Sequence, residues 1–192
     1  MEIKNFLLHL RLNYNFLIMS APFFLGAVLV PKIVNPTIFL ISFILIYIFL
    51  FGGANVYNSY FDKDEGPIGG LEHPPKVVQW MYYAAWTIQI IGLIISFILL
   101  PFFGWIYLFI IILSWLYSGP TFRFKGKPFL SFLVIGVGTV FNTVILGYVM
   151  AGGTGIPTNL KLSVQLDHLF SFSVCTQYRK PIKLIKTDRE EI

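Results

Sequence analysis

The sequence predicts an all-α fold, namely a multi-pass bundle of transmembrane helices. Only 12% of the 192 residues are charged, whereas soluble domains carry roughly 25%. The mean hydropathy is +0.75. The apolar residues lie in long uncharged runs, which cover 12–31, 33–61, 77–122 and 128–160. Because a membrane helix needs about 20 apolar residues, these runs favour a membrane bundle over a soluble domain.

Five helices follow from the four uncharged runs. The run 77–122 is long enough for two crossings, and Pro101 and Gly104 near its middle mark the turn between them. The other three runs each fit one helix. The predicted helices cover about 13–31, 37–60, 77–100, 103–118 and 128–151.

A sixth helix over 162–178 is an open alternative, so the bundle holds five to six helices. It would place Asp167 and His168 near its centre, where an aspartate costs about 2.5–3.5 kcal/mol on insertion scales. We therefore expect a single membrane domain over 1–178, followed by a charged cytoplasmic tail over 179–192.

The basic residues indicate the orientation of the bundle. If the N-terminus is cytoplasmic and the helices alternate, all of the 14 lysines and arginines except Lys32 and Lys161 fall on the cytoplasmic side. Such a bias is typical of cytoplasmic loops, and it places the loops 58–76 and 117–127 on that side. Since no basic domain lies outside the membrane, we expect no nucleic-acid partner.

Two amides and three carboxylates cluster where the second helix ends. Asn55, Asn58 and Asp62 have a spacing of i, i+3 and i+7, which predicts one shared helical face. Asp64 and Glu65 follow directly, and so many neighbouring carboxylates repel one another unless a cation lies between them. Mg²⁺ prefers such oxygen ligands together with substrate phosphate. The cluster therefore predicts a metal site that holds a diphosphate, although a solvated loop and amides that only join helices remain alternatives.

The loop 117–127 supplies positive charge on the same side. Arg123, Lys125 and Lys127 would bind the diphosphate oxygens that the metal leaves free, or they would serve only as an orientation signal. Many aromatic residues surround the two loops, where rings could shelter a carbocation or form the core and the interfacial belt. They are Tyr57, Tyr60, Phe61, Trp80, Tyr82, Tyr83, Trp86, Trp115 and Tyr117.

These motifs resemble those of the UbiA-type intramembrane prenyltransferases. Asn58-x-x-x-Asp62 at a helix end is similar to the first Asp-rich motif of that family. The string from Tyr57 to Pro75 looks like a bacterial subgroup, and Tyr117 to Pro128 is similar to the loop after the family's fourth helix. The likeness covers about residues 10–153.

The resemblance implies the transfer of a prenyl group from a prenyl diphosphate to a small, often aromatic or lipid-like acceptor, using Mg²⁺ in the inner (cell) membrane. Asn58 and Asp62 match the first two positions of the first motif and would be the catalytic and metal-binding residues. Gly66 takes the place of the usual third acid, so Asp64 or Glu65 would replace it.

The resemblance also implies a second acidic motif and a central cavity. The segment 186–191 loosely resembles that motif and offers Asp188 as a metal ligand. Asn55, Tyr117 and Asn142 would line the substrate cavity, although Asn142 could instead bond a neighbouring group. Family members have nine membrane helices, so we expect this chain to be C-terminally truncated.

Two other classes of protein are weaker hypotheses. A CDP-alcohol phosphotransferase pairs Asp-Gly with a nearby Ala-Arg, but no arginine lies between 12 and 122. A non-catalytic membrane protein, either a transporter-like protein or an inactive remnant of the transferase, needs no metal. A transporter usually places ionisable groups at mid-bilayer depth, where only Asp167 and His168 are candidates.

Overall fold

The computed structural model describes residues 2–63 and 66–154, and these form an all-α bundle. Six helices follow one another along the described chain. They are α1 (Glu2–His9), α2 (Leu12–Val28), α3 (Pro36–Asp62), α4 (Gln79–Leu99), α5 (Pro101–Ser118) and α6 (Pro128–Met150). The predicted helix over 162–178 and the tail over 179–192 lie outside the described residues.

Four of these helices, α3 to α6, are long and apolar enough to cross a membrane. This confirms the predicted membrane bundle and four of the five predicted spans. The first predicted span, 13–31, corresponds to α2, which has 17 residues and ends earlier than predicted, at Val28, so it is shorter than the four spanning helices. Polar residues lie at its start, where Asn15 donates to the carbonyl of Leu10.

The helix boundaries follow ordinary capping chemistry. The side chain of Asn35 accepts a hydrogen bond from the amide of Ile38 (3.1 Å), and Pro36 takes the first helical position of α3. Pro101 likewise starts α5 directly after the extended residue Leu100. The predicted turn between the third and fourth helices is therefore confirmed at Leu100 and Pro101, whereas Gly104, which was also expected in the turn, lies inside α5.

The spanning helices α3 and α6 each contain a π-helical stretch that the sequence did not predict. These stretches are Leu45–Gly52 in α3 and Val134–Phe141 in α6. Side chains of neighbouring helices donate to carbonyls of the first stretch: Gln89 bonds Leu50 O (3.2 Å) and the hydroxyl of Tyr107 bonds Leu45 O (3.5 Å). These contacts fix α3 against α4 and α5, and insertions of this kind are frequent near functional sites.

The helices α2 and α6 cross at two glycines. A Cβ atom on Gly147 would lie 1.8 Å from the carbonyl oxygen of Phe23, and one on Gly26 would lie 2.0 Å from that of Val144. The two backbones are therefore in direct contact, as is common between membrane helices. The apolar core beside this crossing includes Phe23, Phe103, Tyr107, Ile110 and Leu146. The crossing holds the bundle together far from its polar end.

Candidate functional site

The polar end of α3 carries a group of side chains that we name the Asp62 cluster. It consists of Asn58 and Asp62 on α3, Ser118 at the end of α5, and Arg123 and Lys125 in the loop between α5 and α6. Three separate segments of the chain therefore meet at one point.

Local backbone geometry brings these segments together. The helix α3 stops after Asp62 because Lys63 adopts the left-handed conformation (φ 45°). Arg123 is also left-handed (φ 42°) and starts the short 3₁₀ turn Phe124–Gly126, which holds Lys125. Such a conformation costs a non-glycine residue about 1–2 kcal/mol. Lys63, next to the cluster, and Arg123, a member of it, are thus strained where the chain reverses.

The ammonium group of Lys125 lies at the centre of the cluster. It forms a close ion pair with Oδ1 of Asp62 and donates to Oδ1 of Asn58 at 3.1 Å. Asn58 Oδ1 also accepts from the hydroxyl of Ser118 at 2.7 Å. Two oxygen atoms on consecutive turns of α3 are therefore aimed at one cationic atom.

The two partners of the central ion pair are sheltered from water, whereas Arg123 is open to it. The side chains of Asp62 and Lys125 are 15% and 16% exposed, against 63% for Arg123, whose Nη2 lies 3.9 Å from Asp62 Oδ1. Screening weakens the outer contact, since exposed pairs contribute little. The charge of Asp62 is therefore neutralised mainly by Lys125 and much less by Arg123.

Asn55 belongs to a different polar group on the α1–α2 side of α3. Its amide nitrogen donates to Oδ1 of Asn15 (2.8 Å) and to the carbonyl of Leu10 (3.3 Å). One turn later, Ser59 Oγ accepts from Nη2 of the buried Arg11 (2.5 Å). The polar residues predicted to share one face thus divide their contacts between two neighbourhoods, which agrees with Asn55 joining helices.

The other residues predicted to line a cavity or bind diphosphate are more scattered. The amide nitrogen of Asn142 donates to the carbonyls of Val137 (2.9 Å) and Gly138 (3.0 Å) of its own helix. Tyr117 is packed against Ile135 and Val140. Lys127 is exposed just before α6. The Asp62 cluster thus gathers Arg123 and Lys125 from the predicted set, but the amide of Asn142 bonds its own helix.

The described residues test the predicted metal site only in part. Asp64, Glu65 and Asp188 lie outside the described residues. Within 2–63 and 66–154, no group of three or more His, Cys, Asp or Glu side chains is placed to hold a metal ion. The oxygens of Asn58 and Asp62 nevertheless converge on one cation, so they fit two positions of an oxygen-rich shell that phosphate and water would complete.

Most of the predicted aromatic residues pack against one another. The ring centroids of Tyr57 and Phe61 of α3 lie 5.8 and 5.9 Å from that of Tyr82 of α4, and 4.9 Å from each other. Trp86 of α4 and Trp115 of α5 have centroids only 3.6 Å apart. Contacts between aromatic rings stabilise helix packing. The network therefore agrees with the interpretation that these rings form the core.

Sequence reasoning missed Ser118 and the partners of Asn55. Ser118 directly follows Tyr117 in the second motif, and a polar residue that ends an apolar helix was the available signal. Asn13 and Asn15, at the start of an uncharged run, gave a similar hint for α2. The identity of each partner depends on helix packing and is invisible in spacing alone.

The fold and the site together define a class, an all-α bundle with four helices that could cross a membrane and a charged cluster at one helix end. No protein-family model, curated protein or solved structure matches this chain. The resemblance to the prenyltransferases therefore depends on the motif residues alone.

Proposed function

We propose that this chain is an integral membrane prenyltransferase that binds a prenyl diphosphate at the Asp62 cluster with the help of Mg²⁺. The observation that carries the proposal is that Asn58 Oδ1 and Asp62 Oδ1 both contact the ammonium group of Lys125. A second cationic side chain, Arg123, lies 3.9 Å from Asp62 Oδ1. The two oxygen atoms would bind the metal ion, and the two positive side chains would bind the diphosphate.

In this proposal Asn58 and Asp62 hold the metal, and Lys125 moves from them onto a phosphate oxygen. Arg123 is exposed, so it can approach the diphosphate from the aqueous side and bind two oxygens at once. Mg²⁺ would supply charge stabilisation for the departing diphosphate. Ser118 keeps the Asn58 oxygen turned toward the site through its hydrogen bond.

The reaction breaks the bond between the allylic carbon and the diphosphate oxygen. The electron pair leaves with the diphosphate, where Lys125 and Arg123 stabilise the new charge. The acceptor then forms a bond to the allylic carbon and loses a proton to water. We further propose that the N-terminus and both loops are cytoplasmic and that the protein lies in the inner (cell) membrane, in keeping with the positive-inside bias.

Direct binding tests this proposal. The purified protein is titrated with geranylgeranyl diphosphate, with Mg²⁺ and with a chelator, and compared with Asp62→Asn and with the control Glu72→Gln. Glu72 is an exposed acid in the loop between α3 and α4. We expect Mg²⁺-dependent binding that the control keeps, and a loss of about 100-fold in Asp62→Asn, since the negative charge that attracts the metal is removed.

Equal binding by Asp62→Asn and the unaltered protein would contradict the proposal. Binding that does not depend on Mg²⁺ and yields no prenylated product favours the inactive remnant. In that case Lys125 alone neutralises Asp62, and no metal is needed there. Flux of a solute through proteoliposomes without metal favours the transporter-like alternative.

A further inference from the structure

A polar cleft, distinct from the Asp62 cluster, lies beside α3 and next to α1. Its volume is about 470 Å³, and its lining includes side chains from α1, from the end of α3 and from the segment 68–77. The polar groups that line it are His9, Ser59, Lys63 and Lys76. These residues are separate from the Asp62 cluster.

The charged residues that line this cleft are both positive. Lys63 and Lys76 are exposed, and neither forms an ion pair within 2–63 and 66–154. Ser59 Oγ accepts a hydrogen bond from Arg11, which leaves the hydroxyl hydrogen of Ser59 able to donate. The cleft therefore offers two cations and one hydroxyl donor, and an anion with several oxygens matches that set.

His9 lines the same cleft and carries a buried hydrogen-bond acceptor that lacks a partner among the described residues. The residue is 2% exposed, and Nε2 contacts the carbonyl oxygen of Pro75 at 2.8 Å. Because a carbonyl can only accept, Nε2 carries the hydrogen, and in the neutral ring Nδ1 has only a lone pair. Nδ1 is buried without a partner in the described part of the chain. A ligand with an O–H group would satisfy it.

Burial favours the neutral ring that this assignment requires. The pKa of His9 is held below its usual value of 6.5, first because burial disfavours the charged form and also because Arg11 is nearby, while the contact with Pro75 acts in the opposite direction. At neutral pH the ring therefore accepts at Nδ1 and does not repel the two lysines.

The surroundings of the cleft point to lipid as the source of the ligand. Its other walls are apolar and include Ile68 and Val77. The neighbouring helix α1 exposes Ile3 (72%) and Leu7 (54%), and its position just before the bundle suits a helix that lies in the membrane interface. A headgroup would enter the cleft while its acyl chains remain beside these apolar side chains.

We propose that this cleft binds the headgroup of an anionic phospholipid that carries a free hydroxyl, such as phosphatidylglycerol. The phosphate binds Lys63, Lys76 and the Ser59 hydroxyl, and a headgroup hydroxyl donates to Nδ1 of His9. The proposal is independent of prenyl transfer, since Asp62 and Lys125 take no part in it.

Native mass spectrometry of the detergent-purified protein tests the charge requirement. We expect one phosphatidylglycerol to remain bound, phosphatidylcholine to be lost, and the double variant Lys63→Gln/Lys76→Gln to bind at least about ten-fold more weakly. The matched control is Lys32→Gln, an exposed lysine far from the cleft along the chain. Equal loss in the control and the double variant would overturn the proposal.

The hydroxyl requirement is tested with phosphatidylmethanol, which has the same charge but no headgroup hydroxyl. We expect about five-fold weaker binding of this lipid to the unaltered protein, and no such difference in His9→Leu. Equal binding of both lipids to the unaltered protein overturns the role of His9 even if the variant fails to fold. Free glycerol phosphate that displaces phosphatidylglycerol at similar concentration would overturn the lipid assignment.

Discussion

The two sides of the C-terminal end of α3, the Asp62 cluster and the cleft next to α1, differ in whether their charges are already paired. On one side the carboxylate of Asp62 is already neutralised by Lys125, and both side chains are largely sheltered. On the other side Lys63 and Lys76 have no acidic partner among the described residues, and Nδ1 of His9 lacks a donor. A ligand at the first side must rearrange an internal ion pair, whereas the second side is ready for an anion.

The largest expected effect is that mutations on one side weaken one ligand and leave the affinity for the other ligand unchanged. Asp62→Asn should weaken prenyl diphosphate binding about 100-fold, because the proposed metal ligand loses its charge. The same variant should keep phosphatidylglycerol affinity within about two-fold, since Asp62 does not line the cleft. Lys63→Gln/Lys76→Gln should show the reverse pattern. Parallel binding titrations check this, and loss of both ligands in either variant would mean one shared site.

Removal of Lys125 sharpens the first half of the comparison. Lys125→Met leaves the carboxylate of Asp62, only 15% exposed, without its close partner, and the exposed Arg123 remains at 3.9 Å. We expect the unfolding free energy to fall by about 1–3 kcal/mol. Excess Mg²⁺ should restore more stability to this variant than to the unaltered protein, because the ion no longer competes with an ammonium group. Thermal unfolding in detergent with and without Mg²⁺ measures both, and an unchanged Mg²⁺ response would contradict the competition.

The pH dependence of α1 docking tests the second side. The pKa of His9 is lowered in the folded protein, so the docked state binds fewer protons than the undocked state. The stability of docking is therefore full above about pH 6.5 and is lost as the pH falls from there through the lowered pKa. Hydrogen exchange of residues 2–9 at several pH values should show this loss, and His9→Leu should abolish the pH dependence.

The smallest expected effect concerns Ser118. Ser118→Ala removes the hydroxyl that donates to Asn58 at 2.7 Å, and one neutral hydrogen bond contributes about 1 kcal/mol. Prenyl diphosphate affinity should therefore fall about five-fold. Ser114→Ala is a matched control, because its hydroxyl bonds the carbonyl of Ile110 within the same helix. Equal effects of both changes would contradict a specific role for Ser118.

The sequence predicted the parts of this structure that depend on local pattern. The uncharged runs predicted the four long helices, because the bilayer demands apolar length. The charged loops 58–76 and 117–127 were expected on the same side, and Asp62 and Lys125 do meet. Lys125 of the second loop thus forms an ion pair with Asp62 of the first.

The rest depends on packing between helices, which spacing within one helix does not record. The contacts of Asn55 with Asn15 and Leu10 follow from the turn between α1 and α2, where Arg11 is left-handed (φ 50°). The π-helical stretches change the register of α3 and α6, and the glycines they contain (Gly52, Gly136 and Gly138) did not predict this change. Asn142 bonds carbonyls of such a stretch, so its place in an apolar run gave no sign of its true partner.

The central claim is that Asn58 and Asp62 share one cation position, which Lys125 fills in this structure. Electron paramagnetic resonance of Mn²⁺, used in place of Mg²⁺, tests it most directly with the unaltered protein, Asp62→Asn and Glu72→Gln in the presence of inorganic diphosphate. We predict a signal of protein-bound Mn²⁺ in the unaltered protein and in Glu72→Gln, and its loss in Asp62→Asn. An identical bound signal in all three proteins would contradict the claim.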